Sequence, residues 1–178
     1  HQNIARFYSD DGGQTWSAPE DIAESIYSQF DASSYGPVRS MFVASGRIMQ
    51  SSTVKVGSYY RLYCAVLVRD RMATHMNYVL FSDDFGGSWE VLGDINQPAV
   101  YNTADEPKVE ELPNGTILIS SRYNGGRYYN IFTYDDIISG KGSWDKAQFS
   151  GANNNGVTAI DNSTNGEVEI IPVVRNAD

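Results

Sequence analysis

An acid and an arginine flank one short turn in this chain, and their residue types suit them to chemistry. Glu106 and Arg122 lie on either side of residues 112–115, which read Leu-Pro-Asn-Gly. A carboxylate can move a proton, and the planar guanidinium group of arginine can hold an anion through two parallel hydrogen bonds. Such a pair is most often a plain surface ion pair, worth under about 1 kcal/mol. Spacing alone therefore favours a structural interpretation, and a catalytic one needs support from elsewhere in the sequence.

The Leu-Pro-Asn-Gly segment predicts a β-hairpin that would bring the two residues together. Proline presets φ at the second position of a type I turn, and glycine takes the left-handed conformation that closes the loop. In this register Leu112 faces Thr116, and counting back puts Glu106 directly opposite Arg122, with Cβ atoms about 5 Å apart. A slip of one residue would move Arg122 to the other face of the sheet. The proximity of the pair therefore depends on the register.

Two stretches of the chain, residues 9–16 and 82–89, follow one pattern, Ser-x-Asp-x-Gly-x-[Ser/Thr]-Trp. At average residue usage such a match arises by chance at roughly one in a million starting points, so the chain contains an internal repeat. In each copy the aspartate, Asp11 or Asp84, predicts a turn in which its carboxylate accepts backbone hydrogen bonds. The tryptophan is expected to fill a gap between sheets. Trp144 ends a third, degenerate copy.

The rest of the sequence indicates an all-β protein with many turns. Residues 4–8 and 78–81 are rich in β-forming residues and end at the repeats. The only short candidates for a helix are residues 19–28 and 135–139. Three tyrosines alternate across one predicted strand, which indicates packing in the core and between sheets: Tyr59, Tyr60 and Tyr63.

Composition argues against several classes of function. The net charge of −9 disfavours nucleic acids and anionic membrane surfaces as partners, so an anionic ligand would have to be held by a local group of arginines. The single cysteine, Cys64, is predicted to be a buried core residue. His1 and His75 are isolated, and no Cys/His spacing suits zinc. We therefore expect no metal and no cofactor.

The repeats resemble the Asp-box of the sialidase (neuraminidase) superfamily. Bacterial exo-α-sialidases carry Glu-x-x-x-x-Glu-Leu-x-x-Gly and a strand ending in Arg just after an Asp-box. This chain matches them, seventeen residues after Trp89, with Glu106, Glu111, Leu112, Gly115 and Arg122. The resemblance implies a β-propeller of four-stranded antiparallel blades, six in the complete protein and about three in this chain. It also implies that Asp11 and Asp84 are structural, because the Asp-box lies on the propeller face away from the active site.

The same resemblance implies a retaining exo-α-sialidase that hydrolyses terminal α-linked sialic acid from glycoproteins, glycolipids and oligosaccharides. Glu106 would be the base that activates a catalytic tyrosine, and Arg122 one of three arginines that hold the substrate carboxylate. No position matches the nucleophilic tyrosine, the acid/base aspartate or the other two arginines. We therefore expect residues 1–178 to be one partial domain, incomplete at both ends and inactive alone, in a secreted, periplasmic or cell-surface protein.

Weaker candidates and other functions stay open beside this interpretation. Arg127, after a Gly-Gly turn, could reach the rim of a substrate site, and Arg39, Arg69 and Arg71 could line a cleft, although solvated charge is the default for all four. A non-catalytic Asp-box propeller that binds glycan or protein would share the fold. So would another propeller glycosidase that uses paired carboxylates.

Overall fold

In the described part of the chain the regular elements are almost all antiparallel β-strands. The computed structural model describes residues 2–43, 47–102, 105–123 and 126–150. A two-stranded ribbon encloses the first repeat and consists of β1 (Ala5–Arg6) and β2 (Glu20–Asp21). It leads into α1 (Ala23–Tyr27) and one turn of 3-10 helix (Ser28–Phe30). The helices of this described part are too short to cross a lipid bilayer.

The first large sheet, sheet 1, has four strand positions filled by six strands. β5 and β6 form its centre; β3 and β4 pair with successive parts of β5, and β7 and β8 pair with opposite parts of β6. The second repeat is the connection from β6 to β7. The strands are β3 (Ser40–Val43), β4 (Met49–Val56), β5 (Tyr59–Arg69), β6 (His75–Ser82), β7 (Glu90–Val91) and β8 (Val100–Tyr101).

The second large sheet, sheet 2, repeats this plan. Its order is β9-β10-β11, and β12 and β13 share the outer edge of β11. The strands are β9 (Asp105–Glu111), β10 (Ile117–Tyr123), β11 (Gly126–Asp136), β12 (Lys141–Trp144) and β13 (Gln148–Ser150). Each large sheet thus has four strand positions, with both outer positions divided in sheet 1 and one in sheet 2. This confirms the predicted all-β class and its four-stranded antiparallel units.

Sheet 1 is buried on both faces because its side chains alternate between two cores. One face packs against the helical segment, where the rings of Phe30 and Tyr78 lie edge to face with centroids 5.1 Å apart. The other face packs against sheet 2. That second core consists mainly of Tyr63, Val79, Phe81, Ile117, Ile119 and Phe132.

The structure confirms the predicted burial of Cys64 and Tyr63 and contradicts the packing predicted for Tyr59 and Tyr60. Cys64 is buried in the first core, as predicted, and burial raises the pKa of its thiol to about 11. Tyr63 is fully buried, as predicted. Tyr59 and Tyr60 are exposed, so the packing prediction was wrong for them. They begin β5 beside the tight connection from β4, beyond the reach of either core.

Of the two predicted short helices, the first is partly confirmed and the second is not. The first, residues 19–28, contains α1 (Ala23–Tyr27), although the chain before it forms β2. The second, residues 135–139, is wrong. It is the end of β11 and a turn in which Asp136 accepts hydrogen bonds from the Ile138 backbone N–H (3.0 Å) and the Ser139 hydroxyl (2.6 Å).

The registers give the two large sheets a common pair of ends. β6 runs from His75, opposite Arg69, to Ser82, opposite Leu62. We call the end at Ser82, where the second repeat turns, the turn end. The end at Arg69 borders a cleft, and we call it the cleft end. In sheet 2, β9 lies beside sheet 1 with Asp105 at the cleft end and Glu111 at the turn end, where Glu111 contacts β4.

Candidate functional site

A cleft of about 250 Å³ opens at the cleft end, between the start of β9 and strands β3 and β5 of sheet 1. Its lining is mixed polar and apolar, with a serine and an arginine facing two carboxylates. The lining residues are Gln2, Ser40, Phe42, Leu67, Arg69, Asp105 and Glu106. Ser40 and Asp105 were not singled out from the sequence; the one available signal was that Asp105 directly precedes Glu106.

Arg122 contacts both carboxylates at the edge of this cleft. Its Nε lies 2.7 Å from Oε2 of Glu106, and its Nη2 lies 3.4 Å from Oδ2 of Asp105. The Glu106 contact is an ion pair, because the Nε–H is not aligned for a hydrogen bond. About a third of each side chain stays exposed, 37% for Arg122 and 32% for Glu106. The predicted proximity of Glu106 and Arg122 is therefore confirmed, with both groups accessible from solvent.

The backbone reaches this arrangement by a route that the sequence did not predict. The β9–β10 register follows the hairpin prediction from Glu111, opposite Ile117, to Pro107, opposite Ser121, and then shifts by one residue. Arg122 consequently lies opposite Asp105, so the prediction that it faces Glu106 directly was wrong. The extra residue forms a β-bulge, which re-aims a side chain. Here the bulge returns the Glu106 carboxylate to Arg122.

Glu106 has a backbone conformation that is unusual for its residue type, with φ of +25°. A positive φ in a residue other than glycine costs roughly 1–3 kcal/mol and persists only where surrounding contacts enforce it. Within the bulge, the Glu106 backbone N–H donates to Oδ1 of Asp105 at 2.9 Å. Strain of this kind is concentrated at functional sites, and here it falls on the predicted catalytic residue.

Arg127 is fully buried, so the expectation of a solvated arginine was wrong. It is the second residue of β11 and lies directly opposite Arg122. Its guanidinium group donates to the Ser120 hydroxyl and, at 3.1 Å, to the Ser120 carbonyl oxygen. A longer bond of 3.4 Å reaches the carbonyl oxygen of Glu106. Burial excludes Arg127 from a substrate rim and places it beneath the bulge.

The other arginines suggested for a cleft are exposed, and one of them lines it. Arg69 ends β5 between Ser40 and His75 and contributes to the cleft wall across from Glu106. Arg39 and Arg71 are exposed beside the same end of β5. Among the residues that the structure describes, no group of three or more His, Cys, Asp and Glu could hold a metal ion.

The repeat aspartates lie at the turn end, and their carboxylates are occupied by their own turns. Asp11 accepts bonds from the Gln14 and Thr15 backbone N–H groups, both at 2.9 Å, and from the hydroxyls of Ser9 and Thr15. These bonds, first those from Thr15, lower the pKa of Asp11 to about 2. The turn chemistry predicted for this repeat is confirmed.

Asp84 repeats the arrangement in the second copy. It accepts from the Ser88 backbone N–H and from the hydroxyls of Ser82 and Ser88, each at 2.8 Å. Burial alone would raise the pKa of Asp84, but the bonds from Ser88 and Ser82 outweigh it and lower the pKa. The same bonds in both copies show that the spacing of the pattern serves the turn.

The three repeat tryptophans do not share one environment. Trp89 is partly buried against the first core, and the ring of Trp144 lies 5.1 Å from that of Phe132 in the second. Trp16 is 64% exposed, so the prediction that each tryptophan fills a gap is wrong for the first copy. The Trp16 indole instead donates to the Gly13 carbonyl oxygen of its own turn at 3.2 Å.

A fully buried arginine, Arg61, ties the second repeat to sheet 2. Its Nε and Nη2 donate to the two carboxylate oxygens of Asp83, both at 2.7 Å, and Nη2 also donates to the Ile138 carbonyl oxygen at 3.1 Å. The guanidinium group stacks 4.2 Å above the ring of Phe81. The ion pair with Asp83 lies within sheet 1, and the bond to Ile138 connects the guanidinium group to sheet 2. It contacts no residue of the cleft.

Glu111, the second acid of the predicted motif, joins sheet 2 to sheet 1 at the turn end. Its carboxylate accepts from the hydroxyls of Ser51, Ser52 and Thr53 and from the Ser52 backbone N–H, at 2.5 to 2.8 Å. Burial would raise the pKa of Glu111, but these bonds, first that of Ser51, outweigh it and lower the pKa. Glu111 thus supports the packing of the sheets, and Glu106 alone of the motif's acids lines the cleft.

Comparison with solved structures identifies the fold. The chain is similar to the Hadza microbial sialidase Hz136, with a TM-score of 0.60 and 24% identity over 81% of this chain. It is also similar to Trypanosoma rangeli sialidase in complex with sialic acid (TM-score 0.54, 17% identity, 80% of this chain) and in its covalent complex with 2,3-difluorosialic acid (0.53, 16%, 83%). No protein-family model and no curated protein sequence matches the chain.

The extent of these matches agrees with the architecture. The chain covers 24% of the Hz136 chain and 20% and 21% of the two T. rangeli chains. It therefore has a sialidase-like fold, and it spans about a quarter or less of the proteins it resembles. The β1–β2 ribbon, sheet 1 and sheet 2 are the consecutive antiparallel units expected of a partial propeller.

Proposed function

We propose that this chain is the central part of a retaining exo-α-sialidase that hydrolyses terminal α-linked sialic acid from glycoconjugates. One observation carries the proposal: on a sialidase-like fold, Glu106 and Arg122 form a 2.7 Å ion pair at the edge of a cleft and remain partly exposed. Glu106 is assigned as the general base and Arg122 as a ligand of the substrate carboxylate. The nucleophilic tyrosine and two further arginines are assigned to chain outside residues 1–178.

The chemistry of sialic acid explains why these residue types are needed. Its carboxylate is attached to the anomeric carbon, so an anionic nucleophile would be repelled on approach. A neutral tyrosine that loses its proton only as it attacks avoids this repulsion, and sialidases are the glycosidases that use a tyrosine nucleophile. Glu106 would accept that proton. Arg122 would bind the substrate carboxylate through its planar fork, a geometry that lysine does not offer.

The charge distribution of the cleft is compatible with this assignment. The chain carries a net charge of −9, so its overall field does not attract an anion. Arg122 and the exposed Arg69 bring positive charge to the cleft end. An incoming carboxylate would exchange for Glu106 or Asp105 on Arg122 and free Glu106 to act on the tyrosine. By the same resemblance we propose a secreted, periplasmic or cell-surface location.

The test is hydrolysis of a fluorogenic sialoside by the complete protein that contains this chain. Glu106→Gln and Arg122→Ala are each expected to lower kcat/KM by at least about a thousandfold, the scale of losing a catalytic base or a preorganised charge contact. A matched pair of controls exists at the turn end, where Arg6 and Glu20 form another partly exposed ion pair at 2.7 Å. Glu20→Gln and Arg6→Ala should leave kcat/KM within about threefold, since surface pairs contribute little.

The outcomes separate the proposed function from its alternatives. Near-normal rates in Glu106→Gln and Arg122→Ala would remove the assignment of both residues. A protein that binds a sialoside without cleaving it would be a glycan-binding propeller. Cleavage of another glycoside together with no affinity for a sialic-acid analogue would indicate a glycosidase of different specificity.

A further inference from the structure

Two buried polar side chains support the strained backbone of Glu106, the candidate catalytic acid. Glu106 lies in a β-bulge, where the extra residue leaves the regular ladder of strand hydrogen bonds. Two buried side chains donate to carbonyl oxygens of this bulge: Asn77 to that of Asp105 and Arg127 to that of Glu106, each at 3.4 Å. Both donors are fully buried. The conformation of Glu106 therefore depends on residues that are distant in sequence and do not reach the cleft.

Arg127 is the stronger of these two supports because it contacts two strands at once. It bonds the hydroxyl and carbonyl oxygen of Ser120 on β10 and the carbonyl oxygen of Glu106 on β9. Ser120 precedes Arg122 by two residues on the same strand, so both point to the same face of the sheet. The guanidinium group thus links the strand that carries the acid to the strand that carries Arg122.

We propose that Arg127 is a positioning residue that holds the Glu106 carboxylate beside Arg122 for the reaction. The inference rests on the proposed function, and it adds a residue that touches neither the cleft nor the substrate. The donors of a guanidinium group are fixed in one plane, so the three bonds set the position of the Glu106 carbonyl relative to β10. Loss of that link allows the bulge to relax and moves the carboxylate by an ångström or so, a displacement that costs on the order of a hundredfold in rate.

Arg61 provides the matched comparison for a buried arginine with a purely structural task. Both side chains are fully buried and make several polar contacts. The polar contacts of Arg61 are to Asp83, Tyr134 and Ile138 at the turn end. The same substitution at the two positions therefore removes the same chemical group from opposite ends of the sheets.

The experiment compares Arg127→Lys and Arg127→Met with Arg61→Lys in the complete protein, using a fluorogenic sialoside and correcting for the folded fraction. We expect kcat to fall about a hundredfold in Arg127→Met and about tenfold in Arg127→Lys, which keeps some but not all of the bonds. KM should change less than about threefold, because Arg122 stays in place. Arg61→Lys should lower Tm but leave kcat within about twofold. Should Arg127→Met not fold, Arg127→Lys gives the result.

A crystal structure of Arg127→Lys supplies a readout that does not depend on activity. The distance from Glu106 Oε2 to Arg122 Nε, 2.7 Å in the parent, is expected to lengthen by about 1 Å or more, and to stay unchanged in Arg61→Lys. An unchanged distance, or an unchanged kcat in an active parent, overturns the inference. If the parent protein does not cleave sialosides, the proposed function fails, and the distance alone then decides whether Arg127 positions Glu106.

Discussion

The carboxylates of the repeats and of Glu111 are bound differently from the carboxylates of the cleft. At the turn end, Asp11, Asp84 and Glu111 each accept at least three hydrogen bonds from neighbouring backbone and hydroxyl groups, and Asp83 is held by both arms of a buried arginine. At the cleft end, Glu106 and Asp105 share Arg122 and remain partly exposed. The carboxylates saturated by their own fold serve structure, whereas Glu106 and Asp105 keep free capacity beside a cation at a cleft and are available for chemistry.

This difference leads to opposite expectations for stability and activity. Substitutions of Asp84, Asp11 or the buried Arg61 at the turn end should cost folding free energy with little effect on turnover, and substitutions of Glu106 or Arg122 should do the reverse. Three substitutions test the stability side of the comparison, from the largest expected effect to the smallest.

Arg61→Met should cause the largest loss, about 3–5 kcal/mol of unfolding free energy, the usual result of removing one partner from a buried ion pair. It leaves the Asp83 carboxylate without its two 2.7 Å bonds. Urea denaturation measures the loss. The double variant Arg61→Met/Asp83→Leu should recover most of it, because no carboxylate is then left without its partner. A loss below about 1 kcal/mol in Arg61→Met would show that Arg61 is not a structural link between the sheets.

Asp84→Ala should cost about 1–2 kcal/mol, comparable to removing a helix N-cap that accepts the same kind of backbone bond. The Ser88 N–H loses its partner, and so do the hydroxyls of Ser82 and Ser88. Asp84→Asn, which keeps one side-chain oxygen, should cost less. Asp11→Ala should have a smaller effect than Asp84→Ala, because Trp16 of the first repeat is exposed. Equal losses in both copies would contradict the view that packing around the second repeat reinforces its turn.

Arg122→Met should change the unfolding free energy by less than about 1 kcal/mol, since the guanidinium group and its partners are partly exposed. The same denaturation measurement applies. A loss as large as that of Arg61→Met would mean that Arg122 is itself a structural link, and the distinction between the two ends would then be lost.

The sequence predicted those parts of the fold that local chemistry determines. The Leu-Pro-Asn-Gly turn set the β9–β10 register correctly up to Pro107, opposite Ser121, because turn geometry fixes pairing for as long as the ladder is regular. The carboxylate-centred turns of both repeats followed from the residue types alone. Glu106 and Arg122 were brought to one place by the same hairpin.

What the sequence did not predict depends on contacts between distant segments. The bulge at Asp105 and Glu106 is supported by Asn77 and Arg127, and no local sequence pattern predicts it. Arginine is rarely fully buried, so the burial of Arg61 and Arg127 could not be read from residue type. Trp16 and Trp89 occupy equivalent positions in one pattern but differ in exposure, because their surroundings come from other parts of the chain.

A crystal structure of the complete protein with a bound sialic-acid analogue tests the central claim most directly. We predict that the analogue occupies the cleft at the start of β9, with its carboxylate oxygens about 3 Å from the Arg122 guanidinium nitrogens and the Glu106 carboxylate released from Arg122 toward a tyrosine hydroxyl. An analogue bound away from this cleft, or in it without contact to Arg122, would contradict the account.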